Sequence, residues 1–198
     1  MQHDQTQEKF YLSFRIGREI YALSVDNARE IVECSTLVRV PDMPPWIPGV
    51  VHLRGSTLPV IDLRARFGMG TTELTTDTCL IVTEAQVAGE FLLAGMLADA
   101  PKEVFEADER AIEPSPTLGA ARAQHYVRGI LERESELVVV LEAERVFRFS
   151  DLVPTYRALE ERGLGRERLP TDGPEYEPSS CEAKEGGEPL TLPPCPAS

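Results

Sequence analysis

The residue types that most often carry catalysis or bind metals are spread along this chain without the spacing that either chemistry needs. The three histidines, His3, His52 and His125, are far apart, and no Cys/His cluster has metal-ligand spacing. No serine lies in a nucleophile elbow, and the carboxylate pair Glu132/Glu134 lies in a charged, solvated stretch. We therefore predict a binding protein with no catalytic residues, no metal site and no cofactor.

The charge of the chain argues against two classes of partner. A net charge of −13 over 198 residues disfavours binding to nucleic acid or to an anionic membrane surface. No apolar run approaches the roughly 20 residues of a membrane span, and the first ten residues lack the basic and apolar regions of a secretory signal. The sequence predicts a cytoplasmic protein with no nucleic-acid partner and no direct membrane insertion.

The four cysteines fit this compartment. Cys34 and Cys79 fall in apolar segments, Cys181 and Cys195 lie in a Pro-rich C-terminal stretch, and none forms a CxxC pair. We expect reduced thiols, with Cys34 and Cys79 as small core residues.

The chain repeats itself at two places. WIPGVVHLRGSTLPVIDLRARF (residues 46–67) aligns without a gap to YVRGILERESELVVVLEAERVF (residues 126–147), so that Gly49 matches Gly129. An acidic residue also recurs at the same position of the two segments, Asp62 in the first and Glu142 in the second.

Upstream, a weaker match relates residues 14–33 to residues 87–106, with Glu30 opposite Glu103. Two matches in the same order predict an internal duplication.

Each copy reads as β-strands joined by tight turns. Gly17 separates the runs FYLSFRI and EIYALSV, and Gly55-Ser56 separates VVHLR from TLPVIDL. The runs PVIDL and LVVVL are apolar on both faces, which is typical of strands in a small barrel. We expect Pro59 at an edge strand or a bulge, because proline donates no ladder hydrogen bond.

Short helices and loops complete the prediction. We expect helical turns over Asp26–Val32 and over Leu63–Phe67, the second ended by Gly68. A loop over residues 113–124 and a helix over Thr155–Arg162 are also expected.

The domain prediction divides the chain into four parts. These are a flexible N-terminus (1–9), a folded part (10–150), a short helical extension (151–169) and a disordered, acidic, Pro-rich tail (170–198). The folded part is predicted to consist of two pseudo-repeated β-barrels. The first covers approximately residues 10–80, with exchange of a C-terminal strand, and the second covers residues 80–150.

The tract PWIPGVVHLRGSTLPVIDLRARFG resembles the signature of the CheW family, the adaptor proteins of bacterial chemosensory arrays. Family members typically carry P-x-x-x-x-G-V-x-N-L-R-G-x-x-x-P-V-x-D-L-R. The matching positions are Pro44 or Pro45, Gly49, Val50, Leu53, Arg54, Gly55, Pro59, Val60, Asp62, Leu63 and Arg64. The stretches before and after this tract also resemble the family, from about Phe10 to Phe149.

The resemblance implies a fold and a function. The fold would be mainly β, with two five-stranded, SH3-like β-barrels and short helices. The protein would have no catalytic activity and would join the cytoplasmic tip of methyl-accepting chemoreceptors to the regulatory domain of the histidine kinase CheA. It would be recruited from the cytoplasm to membrane-associated receptor arrays.

By position, the resemblance also implies a groove between the barrels that accepts the receptor's helical hairpin. The groove residues would be Leu12, Val25, Ala28, Glu30, Ile31 and Arg54. Gly49 and Gly55 would form structural turns. Plain core packing is the alternative for the apolar members, and a solvated surface position is the alternative for Glu30 and Arg54.

The chain departs from the family pattern at three places. His52 replaces the usual Asn, Pro101 stands in the second copy, and Glu134-Ser135 occupy the positions of Arg54-Gly55. Only the first copy therefore keeps the Arg-Gly pair that is typical of the family at this turn.

Other functions stay open at this point. The chain could be an accessory CheW-like scaffold of a non-flagellar pathway that controls surface motility or gene expression. It could also be a small ligand-binding β-barrel, which would need a cavity with convergent polar groups between the lobes.

Overall fold

A computed structural model describes residues 8–34, 36–87, 90–114, 125–147 and 161, and of residues 85–87 and 90–92 only the backbone. Within these residues the chain forms two five-stranded sheets. The first consists of β1 (Glu8–Ile16), β2 (Glu19–Ser24), β8 (Ala100–Asp108), β9 (Val127–Arg133) and β10 (Glu136–Leu141), in the order β8-β1-β2-β10-β9. The second consists of β3 (Ala28–Glu33), β4 (Gly49–Leu53), β5 (Ser56–Asp62), β6 (Cys79–Val87) and β7 (Glu90–Ala98), in the order β3-β6-β7-β5-β4.

Short helical elements connect these strands. They are α1 (Leu63–Phe67), α2 (Ala143–Val146) and two 3-10 turns, Val25–Asn27 and Glu109–Ala111. The expected fold class, mainly β with two five-stranded units and short helices, is confirmed. None of the helices in the described part has the length and hydropathy of a membrane span.

Each sheet combines strands from both copies of the repeat. Strands β1 and β2 of the first copy join β8, β9 and β10 of the second, while β6 and β7 of the second join β3, β4 and β5 of the first. Four strand pairs join the copies, the antiparallel pairs β1–β8 and β3–β6 and the parallel pairs β2–β10 and β5–β7. In the parallel pairs Val140 lies opposite Ala22 and Val60 lies opposite Gly95. Each sheet therefore needs strands from both copies.

A short bridge covers the outer strand of each hairpin. Residues Val38 and Val50 exchange backbone hydrogen bonds of 2.8 and 2.9 Å, and Glu113 and Ile130 do the same in the second copy. A β-carbon on Gly49 would overlap with the Val38 carbonyl oxygen, and one on Gly129 would overlap with that of Glu113. The close approach of the bridge thus explains why both copies carry glycine at this position.

The two hairpin turns share one backbone conformation with different residues. Arg54 and Gly55 have φ of 48° and 84°, and Glu134 and Ser135 have φ of 51° and 67°. Two successive residues with positive φ are typical of the tight hairpin turn that matches the twist of the strands. Glycine adopts this region freely, whereas the other three residues bear a steric cost.

The core has three main clusters, because alternate residues of each strand face different clusters, and a small fourth one of Val40 and Val50. The first sheet encloses one cluster, comprising Tyr11, Ala22, Phe105, Leu131, Val138 and Val140. The second sheet encloses another, comprising Val51, Leu58, Val60, Leu80, Val82 and Leu97. A shared cluster lies between the sheets and includes Leu12, Phe14, Leu23, Ile61, Ile81, Met96, Leu141 and Phe147. This division explains the strands that are apolar on both faces.

Equivalent aromatic residues of the two copies enclose a buried arginine at the junction. The guanidinium carbon of Arg66 lies 3.8 Å from the ring centroid of Trp46 and 5.0 Å from that of Tyr126. Its Nη2 also donates to the carbonyl oxygen of Val146 at 3.5 Å. Trp46 therefore packs at the junction of the sheets, where cation–π contact contributes to holding them together.

One of the expected helices is absent. Residues Asp26–Val32 form the end of a 3-10 turn and then β3, not a helix. Ile31 packs against the shared core while Val32 packs against the core of the second sheet. The two side chains therefore point to opposite faces, and pairing with β6 determines the strand. The expected helix Leu63–Phe67 is confirmed, with Gly68 at φ 79° as its C-cap.

Pro59 lies in an inner strand, so the expectation of an edge or a bulge was wrong. Val50, its partner in β4, directs its own backbone groups to Val38 on the far side. The pairing of β5 with β7 begins only at Val60. Neither neighbouring strand places a backbone acceptor opposite the nitrogen of Pro59. The missing N–H therefore breaks no hydrogen bond of the sheet.

The N-terminal boundary also shifts. Residues Glu8 and Lys9, expected in a flexible segment, belong to β1 and lie opposite Asp108 and Ala107. The remaining expectations for residues 1–7, the helix at 155–162 and the tail at 170–198 lie outside the described residues, apart from Glu161, and so does most of the loop at 113–124.

Replacing Gly49 by alanine should destabilise the whole fold. The added methyl group must displace the Val38 bridge, and overpacking of this kind costs about 2 kcal/mol of unfolding free energy. Urea denaturation followed by Trp46 fluorescence and by circular dichroism should show one earlier transition for both signals, because the sheets share strands. An unchanged midpoint, or two separate transitions, would contradict the shared architecture.

The two turns provide a matched pair of substitutions. Ser135→Gly should raise the free energy of unfolding by roughly 0.5–1 kcal/mol, the relief of left-handed strain less the larger entropy that glycine loses. Gly55→Ser, the reverse change at the equivalent position, should lower it by a similar amount. Thermal unfolding of both variants checks the pair, and shifts of the same sign would contradict equivalent turns.

Candidate partner-binding surface

Two of the residues selected from the sequence form an ion pair. Nη2 of Arg54 lies 2.9 Å from Oε2 of Glu30, and the side chains are 70% and 26% exposed. Arg54 projects from the β4–β5 turn, and Glu30 lies beside a register shift between β3 and β6. The turn directs the guanidinium over the carboxylate and leaves most of it facing solvent.

This pair closes the second sheet. Strands β3 and β4 are the two edges of the sheet, so a contact between Glu30 and the β4–β5 turn means that the sheet curls until its edges meet. The first sheet closes in the same way, since Glu103 of the edge strand β8 contacts Arg133 of the edge strand β9 at 2.5 Å. Glu30 and Glu103, which are aligned in the repeat, thus each form an ion pair between the two edges of their own sheet.

The partners of the two glutamates differ in position. Arg54 occupies the turn itself, whereas Arg133 lies one residue before the turn and also contacts Glu134 at 3.2 Å. The guanidinium of Arg133 lies 4.8 Å from the ring centroid of Phe105, so it is held against the first sheet. Only the first copy therefore presents an arginine at the tip of its turn.

The predicted apolar groove residues gather where the chain crosses between sheets. Leu12 and Ala28 are buried in the shared core, with 1% and 7% of their surface exposed. Val25 and Ile31 are half-buried and pack against the same core. Leu12 and Ala28 thus form the floor beneath the surface, and Val25 and Ile31 are the apolar residues that solvent reaches.

A second ion pair extends the polar part of this surface. Arg29 of β3 is exposed and contacts Glu84 of β6, and the side chain of Asn27 donates to the Glu84 carbonyl oxygen at 3.4 Å. Charged and amide groups therefore accompany the apolar residues along β3. His52 lies exposed on β4, near Thr57 Oγ1 at 3.4 Å, as expected for the polar face of a strand.

Burial and neighbouring charges alter the pKa values of several groups in the described part of the chain. Burial raises the pKa of the Cys79 thiol to about 11. A hydrogen bond from Lys9, aided by Arg128, lowers the pKa of Glu109, and burial together with Glu144 raises that of Glu142. Among the described residues, no group of three or more His, Cys, Asp and Glu side chains could hold a metal ion.

The equivalent acidic residues Asp62 and Glu142 occupy the N-cap positions of the two short helices. The carboxylate of Asp62 accepts hydrogen bonds from Ala65 N at 3.2 Å and Thr72 N at 2.8 Å. At the N-cap of α2, the side chain of Glu142 accepts no capping hydrogen bond. Asp62 thereby orders the segment after α1, and no equivalent contact is made by Glu142 itself.

Sequence reasoning selected Glu30 and Arg54 separately and missed that they contact each other. It also missed Arg133 as the partner of Glu103. The signal was present in the weaker half of the repeat, which aligns the two glutamates. The alignment does not show how each sheet curves, and this curvature brings the arginine on one edge to the glutamate on the other.

Comparison with known proteins agrees with this architecture. Residues 11–150 match the model of the CheW-like domain. The chain is 31% identical over 136 residues to the chemotaxis protein CheW of Rhizobium meliloti, covering 69% of this chain and 85% of that protein. It is 32% identical over 148 residues to the Helicobacter pylori chemotaxis protein CheW, with coverages of 74% and 86%.

A solved structure shares the fold as well. The crystal structure of the scaffolding protein TtCheW from Thermoanaerobacter tengcongensis superposes with a TM-score of 0.64 at 29% identity. The match covers 76% of this chain and 95% of that one. With the family model spanning both sheets, this chain belongs to the CheW-like domain family.

Proposed function

We propose that this protein is a non-catalytic adaptor that couples chemoreceptors to the histidine kinase CheA in a bacterial chemosensory array. The observation that carries the proposal is the surface on β3, where the Arg54–Glu30 ion pair lies beside the half-buried Val25 and Ile31. Family membership supplies the class of partner. The proposal applies equally to arrays that control flagella, surface motility or gene expression.

The surface suits a helical partner for physical reasons. Val25 and Ile31 offer apolar area that a helix can cover, while Leu12 and Ala28 support them from the shared core. Apolar anchors surrounded by polar residues are typical of helix-in-groove recognition. We propose the helical hairpin at the cytoplasmic tip of a methyl-accepting chemoreceptor as the occupant.

Arg54 is the residue we propose to select the partner. Its guanidinium keeps donors free for a partner's carboxylate or carbonyl groups, because one contact to Glu30 uses only part of the fork. The left-handed backbone at Arg54 carries a steric cost that glycine would avoid. Its presence there favours a role at the surface of the turn.

The regulatory domain of CheA would then contact a different face. The first sheet presents a dissimilar hairpin, in which Glu134 takes the tip position and Arg133 is engaged with Glu103 and Glu134. Two chemically distinct barrel ends allow two unlike partners to bind at once. An adaptor recruited to membrane-associated arrays through its partners needs this property and no active site.

A small ligand-binding barrel is the weaker alternative. It would require an enclosed cavity with convergent polar groups. In the described residues, the apolar side chains of the shared cluster pack between the sheets, and the interior of each barrel holds an apolar cluster of its own. We therefore favour the adaptor.

Reversing the charge of Arg54 should separate binding from folding. Arg54→Glu removes the donors and sets two carboxylates against each other, so the affinity for a soluble receptor-tip fragment should fall by about tenfold or more. Because Arg54 is mostly exposed, the free energy of unfolding should change by no more than about 1 kcal/mol. Titration calorimetry and thermal unfolding measure the two quantities.

The equivalent turn offers the control. Glu134→Arg reverses a charge at the same backbone conformation and should leave receptor-tip affinity nearly unchanged. Capture of the CheA regulatory domain from the same genome should persist in Arg54→Glu and weaken in Glu134→Arg, because the hairpin of Glu134 is the one that we assign to the kinase. If the unmodified protein bound neither partner, the adaptor proposal would fail, and if Glu134→Arg weakened receptor binding as much as Arg54→Glu, the assignment of the surface would be wrong.

A further inference from the structure

A further ion pair lies beside each of the pairs that close the two sheets. In the second sheet, Arg29 of β3 contacts Glu84 of β6. In the first sheet, Nζ of Lys102 in β8 lies 3.0 Å from Oε2 of Glu136, the first residue of β10. Arg29 and Lys102 are equivalent in the aligned copies, because residues 14–33 match residues 87–106. We call Arg29, Glu30, Arg54 and Glu84 the β3 rim, and Lys102, Glu103, Arg133, Glu134 and Glu136 the β8 rim.

An irregularity of the backbone lies at the same place in both rims. In β3 the register with β6 shifts between Ala28 and Glu30, so that Arg29 is the additional residue. In β8 the register with β1 shifts between Pro101 and Val104, on either side of the equivalent residues. A β-bulge changes the direction of the side chains around it, and bulges are frequent beside functional sites. The bulge in β3 allows neighbouring residues of opposite charge to reach different partners across the rim.

In the β3 rim the cations face solvent and the carboxylates lie beneath them. The side chain of Arg29 is 60% exposed against 15% for Glu84, and that of Arg54 is 70% exposed against 26% for Glu30. Among the described residues, each guanidinium contacts a single carboxylate oxygen, Oε2. Part of each donor fork is therefore open to a partner. A molecule that approaches this rim meets N–H donors first.

In the β8 rim the order of exposure is reversed. The side chain of Glu136 is 58% exposed against 37% for Lys102, and that of Glu103 is 49% exposed against 30% for Arg133. At the tip of the turn, Glu134 is 76% exposed. A molecule that approaches this rim meets carboxylates first. Although the charges are paired in both rims, the outward member of each pair is a cation in one rim and an anion in the other.

We propose that this inversion of the outward charge sorts the two partners of the adaptor. Acidic side chains of the receptor tip bind Arg29 and Arg54, and basic side chains of the kinase regulatory domain bind Glu134 and Glu136. This sorting rests on the adaptor function proposed above, and it adds Arg29 and Glu136 as residues that determine specificity. The reverse assignment would place like charges face to face, which disfavours the wrong partner at each rim.

The spacing of the β3 rim suits one face of a helix. Glu30 lies opposite Val82, so Glu84 is its diagonal neighbour on β6, at roughly 7–8 Å. The arginines above these two carboxylates are therefore placed for acidic side chains one to two turns apart, since a helix rises about 5.4 Å per turn. Two acidic residues on one face of a receptor helix can thus engage both arginines.

Exchanging the two members of an ion pair reverses the outward charge and keeps the pair. Arg29→Glu combined with Glu84→Arg should weaken the binding of a soluble receptor-tip fragment about fivefold or more and leave the binding of the CheA regulatory domain unchanged. Lys102→Glu combined with Glu136→Lys should do the opposite. Titration calorimetry of the full chain with each partner measures both affinities. The losses should shrink at high salt, because screening weakens contacts between exposed charges.

Three controls accompany the exchanged chains. Arg39→Glu, at an exposed position outside both rims, should bind both partners normally. Arg29→Gln and Glu136→Gln, which remove a charge without reversing it, should give smaller losses for the same partner as the corresponding exchange. In thermal unfolding, all these chains should melt within about 4 °C of the unmodified protein, because exposed ion pairs contribute little to stability.

The outcomes separate the sorting by charge from the adaptor function. If the unmodified chain binds neither partner, the adaptor function fails, and the sorting fails with it. If the unmodified chain binds both partners and the exchanged chains bind them equally well, the ion pairs serve the fold alone and only the sorting is overturned. The sorting is also overturned if an exchange in the β3 rim weakens the kinase domain as much as the receptor tip.

Discussion

Backbone hydrogen bonding across two parallel strand pairs is the constraint on which this fold depends. The pairs β2–β10 and β5–β7 each join the first copy of the repeat to the second, so neither sheet can satisfy its inner strands from one copy alone. Unpaired backbone groups inside a sheet are costly, and the exchange is therefore enforced in both directions. The shared core, the buried Arg66 and the aromatic residues around it lie where the exchanged strands meet.

Curvature is the second consequence of this arrangement. Because each sheet encloses its own apolar cluster, its edge strands approach each other and leave room for a polar contact across the seam. Glu30 with Arg54 and Glu103 with Arg133 occupy these two seams. The two glutamates are equivalent in the aligned copies, whereas the arginines that contact them lie at different positions of the turns. A pair of similar barrels thereby acquired two different ends, which is the asymmetry that an adaptor between unlike partners requires.

Much of the architecture could be predicted from the sequence because its signals are local or repeated. The hairpin at Gly17 and the helix ended by Gly68 follow from turn and cap chemistry. The segment Asp26–Val32 was predicted wrongly because its apolar spacing fits a helix as well as a strand whose two faces meet different cores. The environment of Pro59 was misjudged for a related reason, since the bridge from Val38 that redirects Val50 is a contact between distant residues.

The sequence by itself determined that the chain is a repeated β protein, that glycine recurs at the equivalent positions 49 and 129, and which tract carries the family resemblance. These features depend on residue type and spacing, which the sequence displays directly. Only the tertiary structure decided which strands pair, that Leu12 lies beneath the surface and that Arg54 meets Glu30. Those outcomes depend on sheet curvature and on strand exchange between the copies, and both arise from the packing of residues far apart in the chain.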